Sequence, residues 1–159
     1  MKNSEPLNHV VFFVPGVPVP KGSLKVVPVT RKSGQPGVRI IPHAKLVEWH
    51  ASVRLAASRI MAPNLPWEGP VFLRLVFRFP RPKGHFLYRR NGPPTLKGTA
   101  PEFVIRRPDL DKLVRSVLDA ITGVLVRDDA QIVRIEAVKR YTGRSEKIGV
   151  LVVARAMNS

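Results

Sequence analysis

The five aspartates of this 159-residue chain all lie between positions 109 and 129. They are Asp109, Asp111, Asp119, Asp128 and Asp129. Because three basic residues share that window, its net charge is −2, and the rest of the chain must carry +18 to reach the total of +16. Carboxylate oxygens are the hard ligands that Mg²⁺ requires, and a strongly basic surface attracts a polyanion such as nucleic acid. An acidic metal site within a basic protein is the arrangement that a nuclease needs.

Two explanations fit the pair Asp109 and Asp111, which begins a predicted helix. The helix dipole favours carboxylates at that end by roughly 0.3–1 kcal/mol each, and the same two carboxylates are suited to a divalent metal. Asp128 and Asp129 follow the helix after a short turn, where adjacent aspartates are common for local reasons. The sequence leaves open which end of the helix this second pair approaches. Spacing alone therefore leaves a metal site and purely local roles as equal alternatives.

The predicted helix also carries a possible ladder of ion pairs. Asp111, Arg115 and Asp119 recur every four residues and so share one helix face. Such a ladder stabilises a helix by a few tenths of a kcal/mol per pair. We expect Asp119 to brace this face by pairing with Arg115.

The composition excludes several classes of protein. The chain has no cysteine, which excludes disulfides, thiolate metal sites and a cysteine nucleophile. No apolar run approaches the roughly 18 residues that span a bilayer, so an anionic membrane surface is a weaker candidate partner than nucleic acid. The first 20 residues lack the order of features that defines a signal peptide. We expect a single domain over residues 1–159 that acts in the cytoplasm.

The elements that must position the aspartates follow the order β-β-β-α-β-loop-α-β-β. Strands are predicted at 9–14, 25–29, 38–41, 71–79, 133–137 and 148–154, from alternating or apolar runs bounded by turn residues. A first helix is predicted from Ala44 to about Met61 by the spacing of Leu46, Trp49, Val53, Ala56 and Ile60. This pattern predicts an α+β fold with two main helices packed on one mixed sheet, and Trp49 in its core.

The second helix carries a single apolar stripe, formed by Leu110, Leu113, Val114, Val117, Leu118 and Ile121. Pro108 suits its first turn, where the missing N–H costs nothing. Gly123 suits its C-terminal end.

Basic residues are concentrated outside the aspartate window. A segment of about 80–107 holds seven Lys or Arg residues, five prolines and one Glu, and a loop of that length is usually functional or mobile. We expect phosphate contacts from Lys21, Lys25, Arg31, Lys32, Lys83, Arg89, Arg90, Lys97, Arg106 and Arg107. Phe86, Tyr88 and Trp67 are candidates to stack on unpaired bases, with core or loop-anchor roles as the alternative.

Three segments in and around the aspartate window resemble the RusA family of Holliday junction resolvases. They are 107–113 (RPDLDKL), 117–123 (VLDAITG) and 128–133 (DDAQIV), with Lys139 beyond. A distant segment, 14–21 (VPGVPVPK), is similar to the family's N-terminal G-x-P-x-P-K pattern. Because the matches lie far apart in the chain, the resemblance is specific.

The resemblance implies a RusA-like, homodimeric, Mg²⁺-dependent endonuclease that cuts four-way DNA junctions, with Mn²⁺ able to substitute. The family's catalytic carboxylates fall on Asp109, Asp111 and Asp129, which would hold the metal together with Asp128. The family usually has Asn at Lys112 and a catalytically important Lys at Arg115. Arg is always protonated, so it can steady a phosphate but cannot readily shuttle a proton. Either Arg115 or Lys112 would then neutralise the charge of the phosphate.

The sequence leaves open two other functions and the surface through which two subunits would form a dimer. One rival is a nuclease for other branched DNA, such as flaps or forks. The other is a non-catalytic nucleic-acid-binding protein, which explains the charge but not the clustered aspartates. For a dimer, the apolar surfaces available are the first helix and the edges of the strands at 71–79 and 148–154.

Overall fold

The computed structural model describes residues 7–22 and 24–157. Its main elements follow the predicted order, but the loop predicted at about 80–107 contains two short strands and a 3₁₀ turn. The strands are β1 (His9–Pro15), β2 (Leu24–Thr30), β3 (Pro36–Pro42), β4 (Val71–Phe79), β5 (Phe86–Leu87), β6 (Thr95–Leu96), β7 (Ile132–Tyr141) and β8 (Gly149–Ala156). The helices are α1 (Ala44–Met61) and α2 (Leu110–Ile121), with 3₁₀ turns at Lys83–His85 and Asp129–Gln131.

Four strands form the central mixed sheet in the order β1-β8-β4-β7. Strands β4 and β7 are parallel, whereas β8 runs antiparallel to both β1 and β4. Parallel neighbours need a crossover connection, and α2 supplies it between β4 and β7. Since β4 and β8 lie inside the sheet, the prediction that their edges could form a dimer interface was wrong. The edge strands of this sheet are β1 and β7.

Alternation along β4 determines which face of the sheet is covered. Val71, Leu73, Leu75 and Phe77 have no exposed surface, while Arg74 points to the other side. The two helices cover the apolar face, and the predicted α+β class is confirmed. Neither helix of the described chain is long and apolar enough to cross a membrane.

The helices bury stripes close to the predicted ones. In α1 the buried residues are Leu46, Trp49, Val53, Ala57 and Met61. The sequence placed Ala56 and Ile60 in this stripe instead, but Ile60 is 39% exposed. Steps of four residues from Trp49 lead to Val53, Ala57 and Met61, which keeps one face of the helix on the core. The prediction that Trp49 packs in the core is confirmed.

The start of α2 differs from the prediction by one position, whereas its C-terminal end agrees with it. Asp109 occupies the N-cap, so Pro108 precedes the helix rather than lying in its first turn. At the other end Thr122 is the C-cap, and Gly123 follows with a φ of +79°. Glycine is favoured there because a side chain would be strained in the left-handed region.

Strands β2 and β3 form a separate hairpin beside the main sheet. Its turn is closed by backbone hydrogen bonds between Arg31 and Gln35 and from Gly34 to Arg31. The hairpin therefore presents basic residues at an exposed tip.

The long segment from Pro80 to Arg107 is folded onto the body of the protein. Its short strands β5 and β6 pair with each other. Arg81 donates hydrogen bonds to the carbonyls of Thr142 and Pro101, at 2.8 and 2.9 Å, and the ring of His85 packs edge-on against Tyr141. We call residues 80–107 the basic lobe.

Candidate active site

The carboxylate of Asp109 does not cap its own helix. Asp109 occupies the N-cap position of α2 but forms no side-chain capping hydrogen bond. Its carboxylate is exposed and lies 3.2 Å from the ammonium of Lys112. Asp111, two residues further along in the first turn, is likewise exposed. Capping alone therefore does not explain why an aspartate stands at position 109.

Lys139 holds the chain segment that leads into Asp109. Its ammonium donates hydrogen bonds to the backbone oxygens of Arg106 and Pro108, at 2.8 and 2.7 Å. Lys139 lies near the end of β7, and the same stretch of strand accepts a hydrogen bond from the backbone of Val104. The sheet thus determines the position at which α2 begins.

The proline-rich segment after β1 forms one wall of the site. The backbone N–H of Lys21 donates to the carbonyl of Lys112 at 2.9 Å, and the Lys21 ammonium is paired with Asp119. The prediction that Asp119 pairs with Arg115 was wrong, because Lys21 reaches Asp119 from a different part of the chain. A cavity of about 420 Å³ lies between this segment and the start of α2. Its lining includes Lys21, Arg107, Asp109 and Lys112.

The second aspartate pair lies at the other end of α2. The carboxylate of Asp128 accepts a hydrogen bond from the N–H of Ala130 at 2.8 Å, and the side chain of Gln131 accepts one from the N–H of Asp128. Gln131 also donates to the carbonyls of Trp67 and Gly69, at 2.8 and 3.0 Å. Asp128 therefore has a structural role. The carboxylate of Asp129 takes no part in these hydrogen bonds and is exposed.

The predicted metal ligands do not all meet within one chain. A helix of 12 residues is about 18 Å long, and Asp109 and Asp129 flank its opposite ends. Within residues 7–22 and 24–157, no group of three or more His, Asp or Glu side chains is close enough to share a metal ion. One chain offers Asp109 and Asp111 at one end and Asp129 at the other.

Of the two candidate cations for the phosphate, only one is engaged. Lys112 is paired with Asp109. The guanidinium of Arg115 is exposed and forms no ion pair in the described part of the chain. The predicted ladder of ion pairs along α2 is accordingly absent there, and Arg115 is left available for a ligand.

The predicted phosphate contacts fall into three surface regions. The hairpin tip carries Arg31 and Lys32; the basic lobe carries Lys83, Arg89, Arg90 and Lys97; and the entry to α2 carries Arg106, Arg107 and Lys21. The side chain of Lys25 lies outside the described residues. The ammonium of Lys21 already has a partner in Asp119, so a contact between Lys21 and DNA stays a prediction.

The three aromatic candidates have different environments. Trp67 is half-buried, and its indole N–H donates to the carbonyl of Leu7 at 2.6 Å. This contact fits the role of a loop anchor better than that of a base-stacking residue. Tyr88 is 62% exposed. Phe86 is half-buried and lines a cavity in the basic lobe.

The structure adds positioning residues that periodicity did not reveal. Gln131 and Lys139 lie in or beside the matched motif, but their roles depend on backbone oxygens of distant segments. Ser116 is fully buried, and its hydroxyl lies 3.1 Å from Nε2 of His50 on α1. Burial lowers the pKa of His50, although Asp119 opposes this shift. No local sequence signal indicates the pairing of His50 with Ser116.

Comparison with known families agrees with the motif. A family model described as endodeoxyribonuclease RusA matches residues 15–152. No curated protein matched the chain in the corresponding comparison. The matched range includes α2, both aspartate pairs and most of the central sheet. The chain therefore belongs to the RusA endodeoxyribonuclease family.

Proposed function

We propose that this protein resolves four-way DNA junctions by Mg²⁺-dependent hydrolysis of a phosphodiester bond, in recombination and repair. The observation that carries the proposal is the exposed carboxylate of Asp109, which is free of any capping role and opens into a cavity walled by Arg107 and Lys112. Family membership supports endonuclease activity on DNA. We expect the cytoplasm of a bacterium or of a phage-infected cell as the location.

The donor set at the start of α2 fits Mg²⁺. This ion is usually bound through one or two carboxylates together with substrate phosphate oxygens and waters. Asp109 and Asp111 are two exposed hard-oxygen donors in one turn of helix. When bound, Mg²⁺ would lower the pKa of a water nucleophile and stabilise charge on the phosphate. We propose that Mg²⁺ is the ion bound at this site and that Mn²⁺ can substitute for it.

The surrounding residues would orient the DNA. Arg115 has an exposed, planar guanidinium suited to two phosphate oxygens. Lys112 holds the Asp109 carboxylate in place until a metal or phosphate competes for it. Lys139 keeps the chain before Asp109 against the sheet.

We further propose a twofold-symmetric dimer. An open four-way junction has near twofold symmetry, and its resolution needs two cuts at symmetry-related phosphates. A C2 dimer presents two sites related by that symmetry. It also offers a way to complete the ligand set, because Asp129 of one subunit could approach Asp109 and Asp111 of the other. The α1 surface and the edge strands β1 and β7 are the faces open to such contacts.

Other branched DNA is the second candidate substrate. Flaps and forks share the exposed backbone and unpaired bases of a junction, and the long basic lobe suits either shape. A non-catalytic DNA-binding role does not account for Asp109 and Asp111, which would repel phosphate unless a metal lies between.

A cleavage assay tests this proposal. The substrates are a synthetic four-way junction, a 5′ flap and a linear duplex of the same sequence, each with Mg²⁺, Mn²⁺ or EDTA. We expect paired, metal-dependent cuts in the junction and little cutting of the duplex. Faster cutting of the flap would favour the second candidate. Binding without any cleavage in either metal would contradict a nuclease.

A further inference from the structure

The basic lobe encloses a cavity of about 390 Å³ against the turn that precedes β8. Its walls are mainly apolar, from Phe86 and Leu96 on the paired strands β5 and β6 and from Ile148 on the body. Arg81, Arg144 and Glu146 supply charged groups. This volume lies within the range of roughly 300–1,000 Å³ that is usual for small-ligand sites.

We propose that this cavity receives one unpaired nucleobase of the branched DNA. The inference deepens the proposed function and rests on it. An apolar slot beside a phenyl ring suits the face of a heteroaromatic ring, because stacking depends on the π-face that every base has. A cavity of this size accommodates a single base and not a stacked duplex, so the base must leave its helix first.

A carboxylate in the cavity lining can accept a hydrogen bond from the edge of a base. Glu146 lines the cavity and accepts hydrogen bonds from the guanidinium of Arg140, at 2.5 and 2.6 Å, and from the N–H of Gly143 at 2.7 Å. The Arg140 hydrogen bonds lower the pKa of Glu146 to about 2, so this carboxylate stays negative at neutral pH. Arg81 and Arg144 in the same lining balance this charge, so the apolar walls, and not the charge, favour a base over a phosphate. The carboxylate can accept a hydrogen bond from a base amino group.

The position of the cavity links it to the cleavage site. The cavity beside Asp109 shares Pro20, Arg107 and Pro108 with a second cavity, and that one shares Pro80 with the cavity in the basic lobe. Because they share lining residues, the three cavities adjoin one another, and we infer one groove from the start of α2 to Phe86. A strand whose phosphate lies at Asp109 could therefore follow this groove. The lobe also carries the exposed cations Lys83, Arg89 and Arg90, and Arg144 lines the cavity from the body of the protein.

The test uses a four-way junction with 2-aminopurine at one position next to the branch point, placed in each strand in turn. This base gains fluorescence when it leaves the helix stack. EDTA prevents cleavage, and the anisotropy of a second label reports binding. We expect wild-type protein to raise the emission severalfold at one position or at its symmetry mate.

Two variants act on the cavity in opposite ways. Phe86→Ala removes the stacking surface, and Pro94→Trp fills the cavity from an exposed loop position, which protects the test if Phe86→Ala folds poorly. Both should abolish the rise in emission while junctions still bind. Leu87→Ala is the matched control, because Leu87 is the neighbouring exposed residue of β5 and does not line the cavity.

Three results would overturn the inference. One is wild-type binding with no rise at any position, and another is the same rise with Phe86→Ala and Pro94→Trp as with wild type. Failure of the wild-type protein to bind any junction would contradict the proposed function itself, and this inference with it.

Discussion

At the scale of single residues, two aspartates that both occupy N-cap positions have different roles. Asp128 caps the turn that follows α2, whereas Asp109 occupies a cap position without capping. Asn is as good an N-cap as Asp, but it is a poor substitute for an anionic metal ligand. Substitution by Asn therefore separates a structural aspartate from a functional one.

We expect Asp109→Asn and Asp111→Asn to lower junction cleavage by at least about 100-fold, since even residues that only support metal ligands cost 10–100-fold when changed. Junction binding should stay the same or tighten, because a negative charge near phosphate is lost. Asp129→Asn should behave likewise, whereas Asp128→Asn should keep most of the activity. Single-turnover cleavage and anisotropy measure the two effects. Near wild-type cleavage would remove the altered residue from the site.

Arg115 and Lys112 can be separated in the same assay. If Arg115 only neutralises phosphate, Arg115→Lys should keep substantial activity because the charge remains. If Lys112 supplies a working amine, Lys112→Asn should fall well below wild type, although Asn is the usual family residue there. Full activity of Lys112→Asn would show that its ion pair with Asp109 is dispensable.

At the scale of elements, α2 depends on the sheet for its position. The two hydrogen bonds from Lys139 connect the end of β7 to the residues just before Asp109. Hydrogen bonds from a charged donor contribute roughly 1.5–3 kcal/mol each. Lys139 is therefore expected to act as a positioning residue for the first turn of α2.

Lys139→Met keeps the length of the side chain but removes its donors. We expect a lower cleavage rate at saturating DNA, by roughly 10–100-fold as for residues that orient ligands, with a small loss of junction affinity. Lys147→Met, at an exposed position, controls for the loss of one positive charge. Equal effects of the two variants on rate and affinity would indicate a charge effect alone.

The turn before β8 makes a pH-dependent contribution to stability. The pKa of Glu146 is lowered from an ordinary value of 4.5 to about 2, chiefly by Arg140. This stabilisation is present above about pH 4.5 and is lost as the pH falls toward 2. Glu146→Gln should lower the free energy of unfolding by about 1–3 kcal/mol at pH 7, and the difference from wild type should vanish near pH 2.

Chemical denaturation at several pH values measures this difference. Glu136→Gln is the comparison, because Glu136 also pairs with arginines but on an open surface. Exposed ion pairs contribute little, so its effect should be small. A pH-independent loss in Glu146→Gln would indicate a packing defect instead.

At the scale of the whole molecule, the separation of the aspartate pairs bears on assembly. Asp109 and Asp129 flank opposite ends of one helix, so a complete three-carboxylate site requires a second subunit or a large rearrangement. A dimer would also join two basic lobes and two hairpins into one positive surface. Junction affinity should then fall steeply with salt through counterion release.

Light scattering of the DNA-free protein should give the mass of a dimer. We also expect a mixture of inactive Asp109→Asn and Asp129→Asn proteins to regain nicking activity. If sites form between subunits, each mixed dimer holds one intact site and one doubly altered site, so about one quarter of wild-type sites should return. A strict monomer that makes paired cuts would contradict the dimer. No recovery on mixing would place all three carboxylates in one subunit.

The sequence by itself determined the main elements and the family. The bounds of α1 and β4 were predicted from side-chain periodicity, because the face that a helix or strand buries can be recognised from the spacing of its own apolar residues. The aspartate motif and its basic surroundings likewise identified the family. Local capping and turn residues placed the ends of α2 to within one position.

Only the tertiary structure decided which of these parts meet. It placed Asp129 at the far end of α2, put β4 and β8 inside the sheet, paired Lys21 with Asp119 and closed the basic lobe over a cavity. Each of these contacts joins segments that are distant in the chain. They arise from the order of strands and the packing of helices on the sheet, which depend on the sum of many weak interactions and leave no repeating pattern in any one segment.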